Sequence, residues 1–247
     1  MKIVTALKIC FNAFIKNEKY ARFFLAERLS NLIYPTYKFS DFGRIFLEDE
    51  QFLTEYKSFF PGQINWHSLD RKFALSQLLR GIKHIPGDTA ECGAFEGASS
   101  FFMCKEIKNT SKNHYVFDSF EGLSCPDTVD GSFWSQGDFA VSDSVISKNL
   151  SCFNNVKFFK GWIPQCFPNS IGNFCFVHID VDLYQPTLDS LVYFYPKVNS
   201  GGIILCDDYG FEWCVGAKKA FDEFFSDKPE EVVHLPTGQA LVIKRTA

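Results

Sequence analysis

The chain lacks any run of the roughly 18 uninterrupted apolar residues that a membrane span needs. Its N-terminal stretch is partly apolar, but Lys8, Asn12 and Lys16 interrupt it and no small-residue cleavage site follows, so no signal peptide is expected. An excess of one charge is also missing. With 25 Lys and Arg against 29 Asp and Glu, the formal net charge is −4. That balance speaks against a general nucleic-acid or anionic-membrane surface and favours small or neutral partners. The nine Cys are scattered and none forms a C-x-x-C pair. Cys92, Cys175 and Cys206 lie inside apolar runs, where a thiol behaves as a small buried hydrophobe. A reduced, cytoplasmic protein without a disulfide framework or zinc site is therefore expected. There is no G-x-G-x-x-G fingerprint and no Gly-Lys-Ser phosphate loop, which removes the usual signatures of dinucleotide and nucleoside triphosphate binding. Neither an internal repeat nor a low-complexity tract interrupts the chain.

What is present is apolar and aromatic: 46% hydrophobic residues with 29 Phe, enough to bury a large core. The length of 247 residues suits an α/β core with an appended element. Residues 1–85 read as an N-terminal helical extension that forms a lid, a substrate element or a dimer arm, and residues 86–247 as the core. In the extension, Leu7, Phe11, Phe14 and Ile15, then Phe23, Phe24, Ala26 and Leu29, recur at helical spacing, with a break near Tyr34-Pro35. Residues 69–82 form a stronger helix, with Leu69, Phe73, Leu75, Leu78, Leu79 and Ile82 on one stripe.

Beyond Pro86-Gly87, strands and helices alternate. Strands are expected at 89–92, 115–117, 156–159, 174–179 and 203–206, helices at 99–107, 141–150, 187–195 and 217–225, and a closing pair at 232–235 and 240–243. Interleaving of this kind predicts a doubly wound, Rossmann-like and mainly parallel sheet with right-handed crossovers, and the closing hairpin adds an antiparallel edge.

Two apolar runs end in paired carboxylates: Phe174-Cys-Phe-Val-His-Ile-Asp180-Val-Asp182 and Ile203-Ile-Leu-Cys-Asp207-Asp208. Parallel neighbours point their carboxyl ends to one edge, so these four acids converge where open α/β sheets bind ligands. Such a group calls for a cation. Glu91-Cys-Gly93-Ala-Phe-Glu-Gly97-Ala-Ser-Ser100 follows the first core strand and opens a helix, which makes it a tight nucleotide-type turn. Asp118 ends the second strand, where a carboxylate accepts hydrogen bonds from ribose hydroxyls.

The series Glu91-x-Gly93-x-x-x-Gly97-x-Ser99, Asp118-Ser-Phe-Glu-Gly-Leu123, Gly137-Asp138-Phe-Ala140, Lys160-Gly-Trp162, His178-Ile-Asp-Val-Asp-Leu-Tyr184-x-Pro-Thr and Gly201-Gly-x-Ile-x-x-Asp207-Asp-Tyr-Gly210 resembles the macrocin O-methyltransferase family over about residues 88–225. The resemblance implies a class I methyltransferase fold with a seven-stranded sheet, S-adenosylmethionine as methyl donor, and Mg²⁺ or another divalent cation. It implies an acceptor hydroxyl on a sugar of a small molecule or glycan, and a homo-oligomer is expected. By the same resemblance, Glu91 and the backbone of Gly93, Ala94 and Gly97, with Ser99 nearby, hold the methionine part. Asp118 and Ser119 hold the ribose, and Trp162 lines the adenine pocket. Asp180, Asp207 and Asp208 are the implied metal ligands.

Asp182 is the alternative to Asp180, because on an ideal strand the two face the same side. Either is a candidate for the base that takes the acceptor proton. His178, inside the strand, is a weaker candidate and reads first as a core histidine. The aperiodic loop at 119–138, with Phe133 and Trp134, is placed to close over substrate, and the loop at 210–216, with Phe211 and Trp213, to contact the acceptor. A catechol-like phenol is an alternative acceptor, and a non-catalytic cofactor-binding protein is a further reading.

Overall fold

The structure, a computed structural model, describes residues 3–36, 38, 42–59 and 68–246. Residues 60–67 of the expected extension lie outside that range. The chain divides into two compact units, Met1–Ser58 and Phe59–Ala247.

The first unit contains α1 (Ile3–Phe14), α2 (Lys19–Ile33), a short 3-10 segment (Phe42–Leu47) and most of α3 (Glu50–Phe59). Helices α1 and α2 pack on each other. Pro35 disfavours the helical region for the residue before it, and α2 accordingly stops at Ile33, with Tyr34 at φ −122, ψ 86.

The second unit opens with α4 (Leu69–Ile82) and then alternates β1 (Asp88–Cys92), α5 (Ala98–Ile107), β2 (His114–Asp118), α6 (Asp143–Asn149), β3 (Val156–Lys160), β4 (Phe174–Ile179), α7 (Tyr184–Phe194), β5 (Val198–Cys206) and α8 (Val215–Phe225). It closes with β6 (Val233–His234) and β7 (Ala240–Ile243). The seven strands lie in the order β3-β2-β1-β4-β5-β7-β6, parallel except for β7, which runs antiparallel to both β5 and β6. This is the doubly wound sheet with a terminal hairpin that the residue pattern predicts.

Helices cover both faces, so the central strands read as continuous apolar runs rather than alternating ones. Every residue of β4 is buried. On one face Phe174, Val177 and Ile179 pack with Leu191, Phe194 and Phe221. On the other, Phe176, Ile203 and Leu205 pack with Leu75, Leu79, Met103 and Ile107. Each fully buried aromatic or branched side chain contributes about 1.5–3 kcal/mol. Because Leu75 and Leu79 belong to this second layer, α4 is part of the sheet's covering, and the expected extension of residues 1–85 lends its last helix to the core unit. Among the described residues no helix is long and apolar enough to cross a membrane.

The ladder continues one step past the strands and thereby builds the site. Gly161 N–H donates to Asp118 O, Gly93 N–H to Phe117 O, Asp180 N–H to Cys92 O and Asp207 N–H to Ile179 O, each at 2.9 Å. Four loops after β3, β1, β4 and β5 therefore leave the same edge in register.

Candidate active site

The turn after β1 depends on Gly93. Its φ is +76, and a Cβ there would stand 1.9 Å from the carbonyl oxygen of Asp180. With no side chain the turn closes directly against the end of β4. The carboxylate of Asp118 secures it from the other side, since Oδ2 accepts from the amides of Ala94 (2.6 Å) and Phe95 (3.2 Å) and Oδ1 from Phe120 (2.6 Å). Burial nevertheless leaves the Asp118 pKa raised.

Glu91 lies behind the turn and is fully buried. Its oxygens bind Ser100 Oγ and His178 Nδ1, the latter at 2.8 Å. Ser99, also buried, takes a hydrogen bond from Lys72 Nζ and faces α4. His178 bridges Glu91 to Asp207, with Nε2 3.1 Å from Asp207 Oδ1. Burial alone would lower its pKa, but the hydrogen bonds and charges of Asp207 and Glu91 push it up to about 10. It is therefore cationic, with both ring nitrogens engaged, and is a fixed core group rather than a base.

Asp180 and Asp182 are not related by strand alternation as an ideal strand would have them, because β4 ends at Ile179 and Asp182 sits in the left-handed region at φ +58. The turn places the Asp182 amide on Asp208 Oδ2 at 2.9 Å, and the Cys214 thiol donates to Asp182 Oδ1 at 3.4 Å. Asp180, Asp207 and Asp208 each offer an oxygen within 4.8 Å of the others, as do Asp182 and Asp208 with the sulfur of Cys214.

Burial, followed by neighbouring carboxylate charge, holds the Asp180 and Asp208 pKa values well above the usual range and that of Asp182 at about 7. Asp207 goes the other way. Burial would raise it, yet Arg71, Lys72 and His178 together hold it well below the usual range. Arg71 pairs with its Oδ2, while Gln239 Nε2 donates to its Oδ1 at 2.7 Å.

Arg71 and Lys72 are the functional-site residues that the sequence reading did not single out. Both are buried on α4, one turn before Leu75 and Ser76 of the same inward stripe. Charges continuing an apolar stripe at a spacing of four were the available signal. Gln239, in the terminal hairpin, carried no such signal.

One cleft gathers these elements, enclosing about 1060 Å³ with its open mouth included. Gly93, Ala94, Asp118, Ser119 and Trp162 line it, with Asp180, Asp182 and Asp208 facing the same space and Arg71, Trp134, Phe139, Phe211 and Trp213 completing the wall. Glu91, Gly97, Ser99 and Asp207 stand behind the lining. Hydrogen bonds brace the loop at 119–138. Leu123 N–H donates to Asp138 O (2.8 Å), Asp127 and Asp130 form a capping box, and Asp130 Oδ1 accepts from Tyr184 N–H at 2.7 Å.

The donor set suits a hard divalent cation. Five carboxylates, Glu91, Asp180, Asp182, Asp207 and Asp208, meet three cationic side chains, Arg71, Lys72 and His178. Negative charge is in excess there, which a bound cation would offset. Without it, protons must supply the balance, as the raised acids indicate.

The profile of the macrocin-O-methyltransferase (TylF) family matches residues 72–230. The 8-demethyl-8-(2,3-dimethoxy-alpha-L-rhamnosyl)-tetracenomycin-C 4'-O-methyltransferase of Streptomyces olivaceus is 30% identical over 145 residues, 53% of this chain and 56% of that protein. The demethyldecarbamoylnovobiocin O-methyltransferase of Streptomyces niveus is 29% identical over 160 residues, 57% of this chain and 59% of that one. The chain thus matches a little over half the length of these curated relatives. The crystal structure of CalS11, a calicheamicin methyltransferase, superposes with a TM-score of 0.64 at 18% identity, covering 81% of this chain and 88% of that one, and shares the fold. With its profile matched over most of the sheet and the fold in agreement, this chain belongs to the macrocin-O-methyltransferase family.

Proposed function

We propose that this chain is an O-methyltransferase that carries a methyl group from S-adenosylmethionine to a sugar hydroxyl of a glycoside or glycan, with a divalent cation such as Mg²⁺ held at the carboxylates. The observation that carries the reading is the shared cleft: the glycine turn and Asp118 open into the same space as Asp180, Asp182 and Asp208. Family membership supports the reaction class. The name of the Streptomyces olivaceus relative describes 4'-O-methylation of a rhamnosyl tetracenomycin, which favours a sugar acceptor. Nine free cysteines accord with a reducing, cytoplasmic setting.

When bound, the cofactor supplies an electrophilic methyl on a sulfonium sulfur, and a divalent cation lowers the pKa of a hydroxyl beside it. The backbone around Gly93 and Ala94, with Asp118, Ser119 and Trp162, would hold the cofactor. Asp180 and Asp208 would hold the cation from the cleft, and Asp207, its oxygens already engaged by Arg71, His178 and Gln239, would complete the trio from behind the lining. Asp182 lines the cleft outside that trio and receives the proton given up by the acceptor hydroxyl. No covalent enzyme intermediate is required, so the residues act mainly by alignment and by excluding water.

The test is an assay of the purified chain with S-adenosylmethionine and a panel of glycosides, rhamnosides among them, beside a catechol. Methylated sugar is expected, with activity lost on chelation and restored by Mg²⁺. Preference for catechol over every glycoside would overturn the sugar reading. Full activity of Asp180→Asn and Asp208→Asn would overturn the cation assignment.

A further inference from the structure

Exposed apolar surface is concentrated in the first unit. Among the described residues, nine of the eighteen exposed large apolar side chains fall between Leu7 and Tyr34. Helix α1 presents Leu7, Phe11, Phe14 and Ile15, and α2 presents Leu29, Leu32 and Ile33. Steps of three and four residues keep each set on one helix face. The two helices pack on each other with Ala13, Ala21 and Phe23 buried instead, so both faces are left in water. Apolar surface gathered in this way marks a docking surface.

The charge around these faces is basic. Lys8, Lys16, Lys19, Arg22 and Arg28 stand against Glu18 and Glu27 over the hairpin, in a chain whose net charge is −4. The acidic remainder of the chain hides this local excess in the overall balance. Arg22 is paired with Glu48. Lys16 Nζ is 5.9 Å from the centre of the Phe11 ring, and the Arg28 guanidinium is 5.0 Å from that of Phe24. Long cationic side chains laid along rings keep their heads in water when the rings are covered. Tyr20 and Tyr34, both exposed, add apolar bodies with polar tips at the two ends of α2. Apolar stripes bordered by Lys and Arg fit a bilayer with anionic headgroups, where the rings sit at the acyl boundary and the cations meet phosphate. Neither helix can cross it, since 12 and 15 residues fall short of the roughly 20 that a span takes. A second copy fits less well, because a two-fold contact through this face sets its cations against their own copies.

We propose that the α1–α2 hairpin lies on the surface of anionic lipid bilayers, an attachment independent of the reaction proposed above. Co-sedimentation of the full chain with vesicles tests this. Vesicles of phosphatidylglycerol and phosphatidylcholine in equal parts are expected to bind the chain about tenfold more tightly than pure phosphatidylcholine, and added salt to weaken the binding. Phe11→Asp combined with Phe14→Asp is expected to abolish it with helical circular dichroism retained, since both side chains are exposed. Lys8→Glu, Lys16→Glu and Lys19→Glu together are expected to remove the preference for anionic vesicles. Val192→Asp, at an exposed apolar residue of the second unit, is expected to bind like the parent. No binding to the anionic vesicles, or binding that survives the paired Asp substitutions, overturns the proposal. So does a dimer in sedimentation velocity that Phe14→Asp splits into monomers, because a second copy then covers the face.

Discussion

Arg71 on α4 and Asp207 at the end of β5, 136 residues apart in sequence, form an ion pair withdrawn from water. The Arg71 side chain is 7% exposed and that of Asp207 is 0% exposed. Removing one partner strands a buried charge, which typically costs about 3–5 kcal/mol. Arg71→Ala and Asp207→Ala are each expected to lower stability by about that amount in urea unfolding. A loss below about 1 kcal/mol, the worth of a surface pair, would show that water screens the contact after all.

Two glycines should respond in opposite directions. Gly93→Ala forces a Cβ against the Asp180 carbonyl at positive φ, and both the stability and the cofactor affinity are expected to fall sharply. Gly81 lies within α4 with nothing within 4 Å of a built Cβ. Gly81→Ala is expected to stabilise by about 0.5–1 kcal/mol. Thermal unfolding of the pair checks both signs.

Two buried histidines bound the stability from opposite sides of pH 6.5. His114, bonded to Thr89 and Ser100, is pushed down by burial to about 4. The unfolded chain takes up a proton there that the folded protein refuses, so this contribution is present above pH 6.5 and is lost as pH falls toward 4. His178 behaves inversely: its folded value of about 10 keeps its contribution whole below pH 6.5 and loses it as pH rises toward 10. In melting temperature against pH, His114→Asn should flatten the acid limb and His178→Asn the alkaline limb. Limbs identical to the parent would refute the assignment.

Divalent cation and pH should be linked. Asp180, Asp182 and Asp208 all titrate above the usual carboxylate value, Asp182 at about 7, so the folded protein holds protons that the unfolded chain has lost. Without a cation this makes stability fall as pH rises from the ordinary carboxylate range through 7. A bound cation replaces those protons, and Mg²⁺ is expected to raise the melting temperature more at pH 8 than at pH 5.5. An equal rise at both pH values, or none, would count against the carboxylate cage, and Asp208→Asn should diminish the effect.

Much of the fold was legible because the signals are local. Continuous apolar runs such as 174–179 and 203–206 belong to strands covered on both faces, and the stripe over 69–82 to a helix covering them. The glycine turn and the strand-end acids were legible for the same reason, since backbone direction alone brings the carboxyl ends of parallel neighbours together. Less visible was anything that depended on which oxygen meets which partner. Asp182 leaves the strand by a left-handed turn, and Glu91 turns to His178 rather than into the cleft.

The amino-acid sequence by itself determined the alternation of strands and helices, the edge at which Asp118, Asp180, Asp207 and Asp208 gather, and the family motifs, because periodicity and strand polarity are properties of neighbouring residues. Only the tertiary structure decided that Arg71 and Lys72 of α4 balance those acids, that Asp207 stands behind the lining while Asp180, Asp182 and Asp208 face the cleft, and that Trp134 and Trp213, from the loops after β2 and β5, line one cleft. The physical reason is separation along the chain. These partners lie far apart in sequence, and their meeting is set by how helices and loops pack on the sheet rather than by any local pattern.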